Sequence, residues 1–201
     1  VPSSPARTKR RPQRREQILA AAVQLFHERG YHDTGIDDIG AAAGITGPGV
    51  YRHFRSKEEI LETLMRERGA AVVAEAEAIV ASGGTASELL DAMARSYAEE
   101  IVANPSLTVV AMYERRTLTP ETRRWIERME RRNMDAWLTM VRQVRPELSD
   151  AEARVVVHAT LSLGVALSNH RSGLADERLV ELVRSMVAAA VRGDAAAGSG
   201  H

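Results

Sequence analysis

The chain has no cysteine, so it holds no disulfide framework, no thiolate metal site and no thiol nucleophile, which fits a reducing compartment. Aromatic residues are scarce at 4%. No apolar run approaches the roughly eighteen residues of a membrane-spanning helix. The opening VPSSPARTKRRPQRR carries charge with no apolar stretch behind it. Secretion and membrane insertion are not expected, and a cytoplasmic protein is. Enzymatic signatures are missing too, with no G-x-S-x-G elbow, glycine-rich phosphate loop or H-E-x-x-H. His27, His32, Asp33, Asp37 and Asp38 lie close in sequence, but their spacing fits no metal template. No catalytic residue, metal or cofactor is expected.

What the chain does have is a core-sized share of apolar residues, 44% of 201, and a divided charge. The formal net charge is zero. Residues 1–57 nevertheless carry ten Lys/Arg against five acids, a net of +5, and the remainder carries −5. Local field, not total charge, steers association, so this is the balance of a phosphate-binding head on an acidic body.

The head contains GYHDTGIDDIGAAAGITGPGVYRHFRSKEEIL, from Gly30 to Leu61, which reads as two short helices around a glycine turn. The first spans about 36–43, Gly44 supplies a positive-φ turn, and the second covers about 47–53: a helix-turn-helix. A further helix opens at Ser56, where Ser56 and Glu59 form an S-x-x-E capping box. Lys57 at that helix start predicts a phosphate site, because the orphan amides and the helix dipole attract anions there.

Thr34, Ile39, Ala43-Gly44-Ile45-Thr46, Val50-Tyr51, His53-Phe54 and Lys57-Glu58 stand in an order and spacing that resemble the TetR family of bacterial transcriptional repressors. The resemblance covers about a quarter of the chain densely; beyond about Leu64 only the architecture is similar. It implies that the second helix of the motif lies in a DNA major groove, and that Tyr51, His53 and Lys57 hold phosphates. It implies dimerisation through the last two helices and a small-molecule pocket in each C-terminal domain. Two positions depart from the family pattern. Gly35 stands where a capping Thr or Ser is usual, at a cost of a few tenths of a kcal/mol. Gly40 replaces the usual Ala, at roughly 1 kcal/mol of helix propensity.

The predicted fold is all-α, with an N-terminal three-helix helix-turn-helix domain and a C-terminal helical domain for ligand binding and dimerisation. Residues 1–12 form a disordered basic arm, 13–56 the DNA-binding domain, 57–193 the effector and dimerisation domain, and 194–201 a flexible tail. Helices are expected over 13–29, 57–81, 86–103, 106–118, 120–144, from the Ser149 cap to about 171, and over 176–192.

The DNA-contacting set comprises Thr34, Thr46, Gly47, Pro48, Gly49, Tyr51, Arg52, His53 and Lys57, with Arg10 and Arg11 from the arm. Thr46 caps the recognition helix, and its two glycines permit close approach to bases. Arg52 suits either a bidentate guanine contact or a phosphate. The apolar side of the helix over 120–144 is interrupted by Asn133, a polar group that needs partners if buried. Around it, Met93, Tyr97, Met112, Tyr113, Trp137, His158 and Ser162 make up the candidate effector site, soft enough for a small hydrophobic molecule. On the last two helices, Ala159, Leu163, Gly164 and Leu167, with Leu179, Leu182, Val183, Met186, Val187 and Ala190, form apolar stripes that suit either a dimer interface or the chain's own core.

The function that follows is a homodimeric transcriptional regulator, a repressor released from a palindromic double-stranded DNA operator by an effector. A DNA-binding protein without an effector, or a helical enzyme, is the alternative.

Overall fold

The structure is a computed structural model that describes residues 6–168, 170 and 172–193, without the side chains of residues 6–12 and 112. The described residues form α1 (Ala6–Arg29), α2 (Ile36–Ala42), α3 (Gly47–Val50), α4 (Lys57–Ala81), α5 (Ala86–Ala103), α6 (Pro105–Tyr113), a 3-10 turn (Glu114–Arg116), α7 (Pro120–Val144), α8 (Asp150–Ser168) and α9 (Asp176–Arg192). The chain is all-helical across these residues, as the sequence predicts.

Caps place most of the boundaries. Ser56 Oγ accepts from Glu59 N at 3.2 Å, Thr85 and Glu88 close a reciprocal box ahead of α5, and Thr119 Oγ1 accepts from Thr122 N with Pro120 in the first turn. Ser149 and Glu152 make the same box before α8, and Gly193 ends α9 at φ 80°.

Four boundaries differ from the expectation, one of them in the motif, where α3 ends at Val50 and not at about residue 53 because the bond from His53 N to Val50 O tightens the chain into a turn. The first helix begins at Ala6 and not at residue 13, so residues 6–12 continue α1 instead of forming a disordered arm. The Ala, Arg and Lys residues there favour helix, and Pro12 removes only one amide from the ladder. Residues 1–5 and the tail 194–201 lie outside the described residues. α6 stops at Tyr113, and the 3-10 turn tightens the chain toward the Thr119-Pro120 start of α7. α8 ends at Ser168, ahead of the expected 171.

Two apolar clusters hold the molecule. Ile18, Leu25, Phe26, Tyr31, Ile39, Val50 and Phe54 pack with Ile60, Leu61 and Leu64 of α4 in the head, and Val110 and Leu118 join them from beyond α5. Leu90, Met93, Trp137, Met140, Val157, Val183 and Val187 centre the second cluster, in the body. α4 belongs to both, with Ile60, Leu61, Leu64 and Met65 buried toward the head and Ala76 buried in the body cluster. α6 also reaches the head, where Val110 is buried.

Candidate DNA-binding head and effector cavity

Within the head, α2 and α3 are joined by Gly44 at φ 67°, the left-handed turn that the motif requires. Thr46 caps α3, its Oγ1 accepting from Gly49 N at 3.3 Å. Val50 and Phe54 are buried, spaced so that this side of the segment faces the core. The other side leaves Thr46, Pro48, Tyr51, Arg52 and Arg55 exposed, Tyr51 at 56%. Gly49 and His53 are half-buried.

Gly47 is not on that outer side. It is buried, and a Cβ there would meet Asp37 Oδ1 at 1.9 Å, so its glycine serves the close crossing of α2 and α3 and not the approach of bases. Gly40 lies at the same crossing, where a Cβ would sit 3.1 Å from Gly47 N, Ile45 O and Thr46 C.

Two further assignments are corrected. Thr34 is 1% exposed, and its hydroxyl donates to Gly30 O at 2.8 Å and Leu25 O at 3.3 Å, so it ties the end of α1 to α2 and has no hydroxyl free for a phosphate. Lys57 Nζ donates to the carbonyls of Tyr31 at 2.6 Å, Thr34 at 2.8 Å and His32 at 3.5 Å, and rests 4.3 Å from the Tyr31 ring centroid. An ammonium has three donors, and all are used here. The start of α4 is likewise answered from within. Glu58 and Glu59 occupy its first turn, Glu59 Oε2 accepts from Arg55 N, and the Ser56 hydrogen bond leads the interactions holding the Glu58 carboxyl below its ordinary range.

Most other head cations are also engaged. Arg14 donates to Ala43 O at 3.3 Å, Arg15 pairs with Glu67 at 2.6 Å and stacks on Phe54, and Arg29 lies 3.7 Å from Asp38. Among the described side chains of the head, Arg52 and Arg55 are the two cations with neither an ion pair nor a hydrogen bond. Arg55 is absent from the predicted contact set, although its place directly before the Ser56 cap was a usable signal. The side chains of Arg10 and Arg11 lie outside the described residues.

The body holds a cavity of about 710 Å³ between α4, α5, α6 and α7. Of the predicted effector residues, Met93, Tyr97, Asn133 and Trp137 line it. His158 and Ser162 do not: both are exposed on the outer face of α8, where Ser162 Oγ donates to His158 O. Tyr113 is 63% exposed and outside the lining, because α6 turns its opposite face to the cavity through Leu107, Thr108 and Ala111. The Met112 side chain lies outside the described residues. Trp125 was missed, though Trp125, Met129, Asn133 and Trp137 follow one i, i+4 stripe.

Tyr97 is fixed at the cavity wall. Its hydroxyl donates to Leu161 O at 2.6 Å and accepts from Gly164 N at 3.1 Å, and its ring stands edge-on to Trp137 at 5.6 Å. Burial pushes that hydroxyl up to about 12. Asn133 Oδ1 is buried with no hydrogen-bond partner among the described residues. Arg68 and Glu100 pair inside the lining, and Arg115 grips Glu130 through two bonds of 2.6 and 3.0 Å.

The model of the family described as bacterial regulatory proteins, tetR family, matches residues 18–64, the helix-turn-helix with its flanking helices. The Mycobacterium tuberculosis ketosteroid transcriptional regulator KstR2 superposes with a TM-score of 0.75 at 25% identity, over 87% of this chain and 93% of that one. The chain belongs to the TetR family. Among curated relatives, the HTH-type transcriptional repressor KstR2 of Rhodococcus jostii is 37% identical over 101 residues, 50% of this chain and 48% of that protein. The fatty acid metabolism regulator protein of Bacillus subtilis is 29% identical over 110 residues, 55% of this chain and 57% of that one. The chain thus spans about half the length of these curated relatives. As a TetR-family protein it carries the helix-turn-helix with α3 as the second helix of the motif.

Among the described residues no helix is long and apolar enough to cross a membrane, and no group of three or more His, Asp or Glu side chains is placed to hold a metal ion.

Proposed function

We propose that this protein is a homodimeric transcriptional repressor of the cytoplasm that a small hydrophobic effector releases from a palindromic DNA operator. The observation that carries the reading is that the cavity and the head share walls. Met65 and Ile126 line the cavity and also pack in or against the head cluster, and α6 turns Thr108 and Ala111 to the cavity while burying Val110 in the head. A molecule filling the cavity therefore presses on the residues that set the angle of the head, and a packed core transmits such pressure as a repositioning of whole elements.

On the DNA side, α3 enters the major groove, with Thr46, Pro48, Gly49, Tyr51 and Arg52 on its outer surface and His53 beside them. Arg55 joins Arg52 as a cation available to phosphates or bases. With so few long side chains on α3, operator preference draws partly on DNA shape.

Dimerisation is supported by where exposed apolar side chains gather. Val155 of α8 and Leu182 and Met186 of α9 are exposed, with Leu174 between the two helices. The sequence stripes divide here: Val183 and Val187 are buried in the body and Gly164 is buried against Tyr97, so the outer surface of α8 is made by Val155, His158, Ala159 and Ser162. A two-fold axis through this surface pairs two heads and so two half-sites.

The test is selection of bound fragments from the organism's own genome, followed by footprinting. A protected inverted repeat that an apolar compound releases supports the reading. Protection that no compound in a broad screen relieves removes the effector from it, and failure to enrich any symmetric sequence removes the operator.

A further inference from the structure

Arg124, Arg128 and Arg131 of α7 are exposed, and none has an ion pair or a hydrogen bond among the described residues. Their spacing sets them on one side of the helix as a ladder of charge. The acids nearest in sequence are turned elsewhere: Glu121 pairs with Arg66, and Glu127 and Glu130 both face Arg115. Exposed Asp135 closes the ladder at its far end.

The adjoining face of α4 is bare. α4 and α7 run side by side in the same direction, with Arg66 on the Thr122 hydroxyl at 2.9 Å and Arg132 on Glu77 at 2.6 and 2.8 Å, offsets of 56 and 55 residues. This register sets Ala70, Ala74 and Ala78, all exposed, level with the three arginines. Ala81 and Asp135 line one shallow groove, so both rows lie on the same outer side of the seam. Guanidinium forks suit carboxylates and phosphates alike, but the shape of this face separates the two. α4 starts in the head and both helices lead away from it, so a duplex lying across α3 meets the ladder only at its end. A second helix fits along its length. The alanines admit one at the roughly 8 Å of close helix packing, and the ladder's steps of four and three match the i, i+4, i+7 spacing of that helix's own side chains. A second copy of this chain does not supply it, since among the described residues no helix shows three exposed, unpaired acids at that spacing.

We propose that the outer face of α4 and α7 docks an acidic α-helix of a different protein, whose carboxylates at i, i+4 and i+7 pair with Arg124, Arg128 and Arg131 while its backbone lies along Ala70, Ala74 and Ala78. Neither row carries a large apolar side chain, so the contact is held by charge, and it is transient and salt-sensitive.

The probe is a hydrocarbon-stapled, alanine-rich helix of about twenty residues with Glu at i, i+4 and i+7. Beside it stand the same helix with Gln or Lys at those positions and an acidic isomer whose helix is broken by proline. Fluorescence anisotropy of the labelled peptides on the full-length protein reads the affinity. The Glu helix is expected to bind about eightfold more tightly than the Gln helix, a factor of roughly two for each of three exposed pairs, and to lose that margin as salt rises. The Lys helix is expected not to bind. Arg124→Gln, Arg128→Gln and Arg131→Gln together are expected to abolish the preference at unchanged Tm, since none of the three gives up a partner. Ala74→Trp is expected to weaken the Glu helix by obstructing the alanine row. Equal affinity for the Glu and Gln helices, binding of neither, or a preference that survives the triple substitution overturns the proposal. So does an Ala74→Trp protein that binds as well as the native one, or a proline-broken peptide that binds as tightly as the helix. A duplex of unrelated sequence whose salt slope falls by about 3 in the triple variant assigns the ladder to phosphates and overturns the acidic helix.

Discussion

Gly164 gives the sharpest stability test because its helix position and its packing predict opposite signs. In an ordinary helix interior, Gly→Ala stabilises by about 1 kcal/mol. Here a Cβ at 164 would stand 2.2 Å from the Tyr97 hydroxyl oxygen and 2.7 Å from two carbons of Ile101. Accommodating it means expelling Tyr97 from the seat where it bonds Leu161 O and Gly164 N, two bonds worth roughly 1 kcal/mol each. Crowding of a packed wall adds about 1–3 kcal/mol. Against the propensity gain, Gly164→Ala is expected to destabilise by about 2–4 kcal/mol, a fall in Tm of about 4–16 °C for a chain of this size. Thermal unfolding followed by circular dichroism, at matched protein concentration so that association does not shift Tm, reads it out. In a Tyr97→Phe background, which removes the hydroxyl, the same alanine is expected to cost at least about 1 kcal/mol less. A Gly164→Ala protein with raised Tm, or a double-mutant cycle with no coupling, would refute the packing of α8 on α5 described here.

Other consequences follow from the head, the α4–α7 contact and the outer face of α8–α9. Lys57→Met is expected to destabilise the head by about 1.5–3 kcal/mol, since a cation bonded to three carbonyls is removed, while leaving the salt slope of DNA binding unchanged. Arg52→Ala and Arg55→Ala should leave Tm alone and, for each that meets a phosphate, reduce that slope by about 1; an unchanged slope for both counts against the assigned DNA face. Glu62 accepts from Thr119 N at 3.0 Å and from its hydroxyl; burial pushes its carboxyl up, but these bonds outweigh burial and hold it below its ordinary 4.5. A carboxyl lowered on folding contributes stability that is complete above pH 4.5 and is lost as pH falls through the lowered value, so Glu62→Gln should flatten the acid limb of a Tm–pH curve below that point. Val155→Asp with Met186→Arg should shift sedimentation from dimer to monomer and weaken operator binding; a dimer that survives both places the interface elsewhere.

Signals local in sequence carried through to the structure, and signals that need a partner far along the chain did not. Ser56, Thr119 with Pro120, and Ser149 with Glu152 place helix starts because a cap is made within a few residues. Gly44 marks the turn of the motif for the same reason. Periodicity finds an apolar stripe but not what covers it, which is why Met93, Tyr97, Asn133 and Trp137 fall on one cavity wall while His158 and Ser162, reached by the same reasoning, face outward on α8. Arg68 and Glu100 are thirty-two residues apart, and no local pattern announces their pairing. Thr34 and Lys57 show the hardest case. The motif identifies both, but a hydroxyl or ammonium free for phosphate and one spent on a carbonyl look alike until the loop over 31–34 is folded over them.

A basic head set apart from an acidic body is expected to bind DNA sequence-selectively. The most direct measurement is fluorescence anisotropy of the purified protein on duplex DNA from upstream of its own gene, across a salt series, with a scrambled duplex beside it. Tight, selective binding whose logarithm falls steeply and linearly with the logarithm of salt is the expected result. Equal, weak binding to both duplexes would contradict it.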